Sequence, residues 1–90
     1  MKLKRHKQFL KEWAKTKLTD GQFEKFIEFA SCLKKDIPLP PESRDHSLSG
    51  EYNDCREFHL GGDMLIIYRE ASEKKETTFL RLGSHSQLFK

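Results

Sequence analysis

Apolar positions recur at helical spacing through the first third of the chain and alternate, or run together, through the last third. In "KLKRHKQFLKEWAKTKL" a brief alternation at Met1, Leu3 and Arg5 gives way to Leu10, Trp13, Ala14 and Leu18 on one side, with Lys7, Lys11 and Lys15 on another. This predicts a short edge strand and then a first helix. "TDGQ" supplies a break and a start together, because Thr19 can cap a second helix with Gln22 three residues on, as in a capping box. Phe23, Phe26, Ile27, Ala30 and Leu33 follow at i, i+3, i+4, i+7 and i+10, a stripe wide enough to cover a sheet.

Pro38, Pro40 and Pro41 then end the helices, since proline lacks a backbone donor and biases the residue before it away from helix. Strands are predicted over residues 52–59, 64–69 and 77–82, joined by turns at Gly61-Gly62 and around "EASEKKE". Met64 to Tyr68 is apolar on both parities, as a central strand covered on both faces would be. Together these elements predict one α+β domain over residues 1–90. A short N-terminal strand precedes two helices packed on one face of a twisted antiparallel sheet, in the order β-α-α-β-β-β, with a short tail.

Ninety residues suffice for one core and little else. The longest apolar run is far short of a membrane span, and the Lys-rich start lacks the apolar stretch of a signal peptide, so a cytoplasmic protein with no membrane partner is expected. Cys32 and Cys55 fall in different predicted elements and form no CxxC, which reads as two reduced thiols. Charge is front-loaded: residues 1–35 carry a net +6 and residues 36–90 a net −3. Such a lobe attracts polyanions, nucleic acid above all, or is simply a solvated helix face.

Four histidines occur, and His46, His59 and His85 each stand near Arg or Asp with Gly within four residues. A two-residue turn at Gly61-Gly62 would put His59 and Asp63 on opposite faces, whereas a three-residue loop from Leu60 would pair them on one face. In the second register Asp63 could orient the imidazole; in the first it merely caps the turn. Arg81 is out of step with Leu80 and Leu82, so it points to the face opposite theirs. There it could hold a phosphate, or form an ion pair with Glu57 or Asp63. The histidines lack the close spacing of zinc motifs, and no phosphate loop or nucleophile elbow is present, so no metal or cofactor is expected. Acid–base chemistry on a phosphodiester remains, for which two imidazoles and a guanidinium suffice.

The stretch "LPPESRDHSLSGEYNDCREFHLGGDMLIIYRE", followed by "LRLGSHSQLF", resembles the YafQ-like toxins of the RelE/ParE superfamily. Those are the toxin halves of bacterial type II toxin–antitoxin pairs. The resemblance implies a metal-independent mRNA endonuclease that cuts in the ribosomal A site and leaves 2′,3′-cyclic phosphate and 5′-hydroxyl ends. It also implies neutralisation by a cognate antitoxin, through which alone operator DNA would be contacted. His46, His59, Asp63 and His85 match the family's catalytic positions, Arg81 a basic residue of the final strand and Phe89 the terminal aromatic. Glu57 stands where some relatives have Asp, and Met64 where one branch has Trp, which bears on base stacking and codon preference.

On this reading His85 is the general acid, Arg81 stabilises the phosphorane, and His59 (oriented by Asp63) or His46 is the base. Phe89 either stacks on a splayed base or plugs the core. The basic lobe of Lys2, Lys4, Arg5, Lys7, Lys11 and Lys15 would dock on ribosomal RNA. Two readings of another class share the fold: a non-catalytic module that acts by binding RNA or antitoxin, and a gyrase poison.

Overall fold

The computed structural model describes residues 1–89. In chain order it runs β1 (Lys2–Arg5), α1 (Lys7–Lys15), α2 (Asp20–Lys35), β2 (His46–Ser47), β3 (Arg56–Gly61), β4 (Met64–Ala71), β5 (Glu76–Ser84) and α3 (His85–Leu88). The five strands form one sheet in the order β1-β5-β4-β3-β2. The α+β class and the helix pair on one face are as the sequence predicts. The sheet is mixed, however: β1 pairs parallel with β5, Lys2 opposite Glu76 through Arg5 opposite Phe79. A fifth strand, β2, arises inside the predicted loop where His46 and Ser47 pair antiparallel with Glu57 and Arg56. The predicted tail coils into α3, because Ser84 and Gln87 complete a capping box there.

The predicted capping box of α2 is present: Thr19 Oγ accepts from the Gln22 amide at 3.1 Å, and Gln22 Oε1 accepts from the Thr19 amide at 3.0 Å. Gln22 also donates from Nε2 to the Gly61 carbonyl at 3.1 Å, tying the start of α2 to the β3–β4 hairpin. His6, the fourth histidine, caps α1 by accepting from the Gln8 amide.

Both helices keep part of their predicted faces on the core, Trp13 and Leu18 for the first and Phe26, Ala30 and Leu33 for the second, but each is turned somewhat from the prediction. In α2 the buried residues are Phe29, Ala30 and Leu33, while Phe23 and Ile27 face outward, 47% and 52% exposed. In α1 Phe9 is buried and Leu10 is not. The reason for the α1 rotation is Glu12. Strand β1 runs out opposite Phe79, leaving the last part of β5 as a bare edge. Glu12 covers it, accepting from the Leu82 amide at 2.9 Å and from the Arg81 guanidinium at 2.8 Å, and so satisfies an edge donor that no strand reaches.

Two apolar clusters sandwich the sheet. On the helix side Phe9, Phe29, Ala30 and Leu33 meet Phe58, Leu60, Ile66, Tyr68, Phe79 and Leu82. On the other side Cys55, Leu65, Ile67 and Leu88 pack with Leu48, Tyr52, Leu80 and Phe89. Burial alone would raise the Glu12 carboxyl, but the hydrogen bonds from Arg81 and Leu82 outweigh it and hold its pKa below 4.5. Glu12 therefore stabilises the fold above that pH, and the contribution is lost as pH falls through the depressed value. Glu12→Gln should lower unfolding free energy by about 1–3 kcal/mol at neutral pH, with the difference shrinking in acid below the unfolded carboxyl range. Urea denaturation of both proteins at two pH values measures it.

Candidate functional site

Alternation along β3 sends Phe58 and Leu60 into the helix-side core and leaves Glu57 and His59 on the opposite face, where they stand across from Ile67 and Leu65 of β4. Pairing of β2 with β3 sets His46 opposite Glu57. Residues separated in sequence thus meet on the face the main helices leave open. The Glu57 side chain is only 5% exposed. Its Oε2 lies 3.2 Å from His46 Nε2 and 3.0 Å from His59 Nε2, and the two rings stack with centroids 6.0 Å apart. Among the described residues Glu57 Oε1 has no partner at all.

Arg44, which carries no motif signal of its own, fixes the protons. Its guanidinium, which can only donate, meets His59 Nδ1 at 3.1 Å, so Nδ1 accepts and the ring proton sits on Nε2, facing Glu57. Its carbonyl, which can only accept, lies 2.7 Å from His46 Nδ1, so that nitrogen carries a proton. The remaining contact, His46 Nε2 to Glu57 Oε2, is an ion pair whenever the His46 ring carries its second proton. Burial, and then the Arg44 charge, hold the His59 imidazole below its ordinary 6.5, against the opposing pull of Glu57.

The segment carrying Arg44 and His46 is pinned from below. Asp45 accepts from Arg56 at 3.0 Å and from the Tyr68 hydroxyl, and Ser43, fully buried, donates to the Pro40 carbonyl at 2.7 Å. No metal motif is expected from sequence spacing. His46, Glu57 and His59 offer atoms that all lie within 4.8 Å of one another and could hold a metal ion. Motif spacing missed them because strand pairing, not helical periodicity, brings them together.

Other predicted residues fall elsewhere. Neither expected hairpin register forms: the turn is Gly62-Asp63, Gly61 pairs with Met64, and an irregularity at Leu60 leaves His59 opposite Leu65. Positive φ at Gly61 (110°) and Gly62 (59°) permits this shift of one residue. Asp63 is therefore exposed in the turn, and the carboxylate on His59 is Glu57, which is buried behind two imidazoles rather than open to substrate. The Asp63 carbonyl accepts from the His85 amide, which ties α3 to the hairpin.

Arg81 does not pair with Glu57 or Asp63. A bulge between Ile67 and Tyr68 changes the β4–β5 alternation, and Arg81 is committed to Glu12 and to the Tyr52 hydroxyl at 2.9 Å. His85 is exposed at the start of α3 with its ring 4.9 Å from that of Phe89. Phe89, half-buried, packs edge-on to Tyr52 at 5.8 Å and helps cover the sheet, as a plug does. Met64 packs toward the helix-side core, away from the site face. Lys4, Arg5, Lys7 and Lys11 lie on β1 and α1, at the sheet edge opposite β2. Three strand spacings, roughly 14 Å, separate β1 from β3, so this lobe is a separate surface from the histidine cluster.

In an NMR titration the His59 ring should show a midpoint below 6.5. Glu57→Gln should lower it further, because the carboxylate is the group that favours the imidazolium. A midpoint that rises in the variant would contradict this reading of the cluster.

Comparison with known proteins agrees with the geometry. The profile of bacterial YafQ toxins of type II toxin–antitoxin systems matches residues 1–90. A YafQ toxin of Haemophilus influenzae is 40% identical over 65 residues, covering 70% of this chain and 64% of that protein, slightly less than two thirds of its length. The mRNA interferase toxin YafQ of Escherichia coli K12 is 30% identical over 84 residues, covering 77% of this chain and 89% of that one. A metal-bound toxin from Helicobacter pylori superposes with a TM-score of 0.82 at 31% identity, covering 98% of both chains. The toxin of the Escherichia coli DinJ–YafQ toxin–antitoxin complex gives 0.78 at 27% identity, covering 98% of this chain and 96% of that one. With the profile matched from end to end, this chain belongs to the YafQ family of type II toxin–antitoxin toxins.

Proposed function

We propose that this chain is a ribosome-dependent mRNA endonuclease that inhibits translation and is neutralised by a cognate antitoxin. The observation that carries the reading is the pair of imidazoles joined through one buried carboxylate, on an open sheet face, with a guanidinium against one ring. Its relatives include an mRNA interferase of Escherichia coli and a toxin held by the antitoxin DinJ. The apolar side chains that α1 and α2 leave exposed, Leu10, Phe23 and Ile27, lie beside Lys-rich stretches and suit an amphipathic, acidic antitoxin segment. Operator DNA would be reached through that antitoxin.

In the proposed reaction the 2′-oxygen bonds to the adjacent phosphorus, and its proton passes to an imidazole of the pair. The bond from phosphorus to the 5′-oxygen breaks, and His85, as imidazolium, returns a proton to that oxygen. The products are a 2′,3′-cyclic phosphate and a 5′-hydroxyl, with the enzyme's proton count unchanged once the two histidines re-equilibrate. His59 is the favoured base, because burial and Arg44 keep it neutral. Glu57, lying between the two rings, orients them. Asp63 acts through its backbone hold on His85. Arg81, being bound to Glu12, seats α1 rather than meeting the phosphate.

Metal-independent cleavage and metal binding would compete. A transition-metal ion at His46, Glu57 and His59 would put a positive charge between the two rings and disfavour their taking up a proton. Chelator should therefore leave cleavage intact and added zinc should suppress it, read by primer extension on a translated reporter mRNA.

In the same assay His59→Ala and His85→Ala should each lose on the order of 10²- to 10⁴-fold in rate while remaining folded. Growth arrest with uncut mRNA would instead favour an occupancy mechanism. Charge reversal at Lys7 and Lys11 should weaken cleavage on ribosomes more than cleavage of free RNA. Equal loss in both would remove the docking role of the basic lobe.

A further inference from the structure

The site needs a cation for the phosphate, and the arginine of the last strand is spoken for. Arg81 places Nε within 3.1 Å of both Glu12 oxygens, Nη2 at 2.8 Å from one, and Nη1 at 2.9 Å from the Tyr52 hydroxyl. That leaves little of its fork for a ligand. Arg44 is in the contrary position. It is exposed, and among the described residues no carboxylate lies within ion-pair distance of it. Its only side-chain partner there is the neutral nitrogen of His59, at 3.1 Å.

The backbone fixes its place. Arg44 sits at φ 49° and ψ 39°, the left-handed cap of the short turn over residues 41–43, with its amide donating to the Pro41 carbonyl, a conformation that glycine adopts most easily. Around it the chain is held rigidly, by buried Ser43 on one side and by Asp45 with Arg56 and Tyr68 on the other. An exposed arginine with no acidic partner among the described residues, held against an imidazole by a rigid loop, is free to meet an anion.

We propose that Arg44, not Arg81, is the guanidinium this site presents to the scissile phosphate, moving from His59 Nδ1 to a non-bridging phosphate oxygen when RNA enters. The assignment rests on the ribonuclease reading. It adds a substrate-contacting residue to the histidines, and it gives Nδ1 of His59 a free lone pair only when a phosphate is in place. Ligand arrival and readiness of the base are thereby one event.

Two measurements test it. The first is an NMR titration of the arginine Nε–Hε signals with an RNA trinucleotide carrying 2′-deoxy sugars, which binds without being cut. The Arg44 signal should move and the Arg81 signal should stay. The second is Arg44→Gly, which suits that backbone conformation. It should melt no lower than the wild type, yet cleave ribosome-bound mRNA on the order of 10²- to 10³-fold more slowly. Arg44→Lys should recover part of that loss.

An unmoved Arg44 signal, or an Arg44→Gly protein that cleaves at the wild-type rate, overturns the proposal. If the wild type itself never cuts mRNA, the ribonuclease reading fails separately, and the titration alone decides whether Arg44 is the phosphate contact.

Discussion

Strand β4 sets the terms for the whole molecule. Leu65, Ile66, Ile67 and Tyr68 are consecutive and all dry, so both faces of the sheet have to be covered. Two long helices cover one face only. The other must be closed by what a chain of this length has left, which is the loop that carries Leu48 and Tyr52 and the four-residue helix that carries Leu88. That cover is partial. Toward the β2 edge it gives way to Glu57, His46 and His59, so the candidate site occupies the ground where the hydrophobic cover ends.

Burying a carboxylate at that boundary is expensive unless it is paired, and two imidazoles do the pairing. Arg44 and Glu57 act on His59 in opposite senses, one against and one for the imidazolium, while burial sides with Arg44. The balance leaves a ring that is neutral yet surrounded by donors and acceptors ready for either form. The half-buried network beside it, Asp45 with Arg56 and Tyr68, takes no part in that balance but fixes where its members stand.

The sequence was legible where a local rule had no competitor. Thr19 and Gln22 announced the start of α2, and the doubly apolar run at β4 announced a central strand. Periodicity placed Trp13 and Leu18 rightly but missed that Phe9, not Leu10, is buried, because a long-range contact bears on the rotation of α1: Glu12 reaches an amide 70 positions away, and no window along the chain reports that. The hairpin register failed because two adjacent glycines allow more than one turn. The histidines were visible as candidates, but their partners were not. Asp63 was the acid beside the turn, four residues on, whereas Glu57, only two residues away along β3, is the acid that shares the face of His59. Arg44 left no trace beyond standing two places before His46, since a left-handed arginine has no sequence signature.

The parallel pairing of β1 with β5 has a consequence for how such a protein comes into being. Lys2 stands opposite Glu76, so the first strand made waits for the last one before the sheet can close. Contacts of this span are slow to form and late to be rewarded. The histidine-bearing strands leave the ribosome well before β5, but β4 has no neighbour on one side until then. A nascent chain is therefore without its completed framework until β5 has been made.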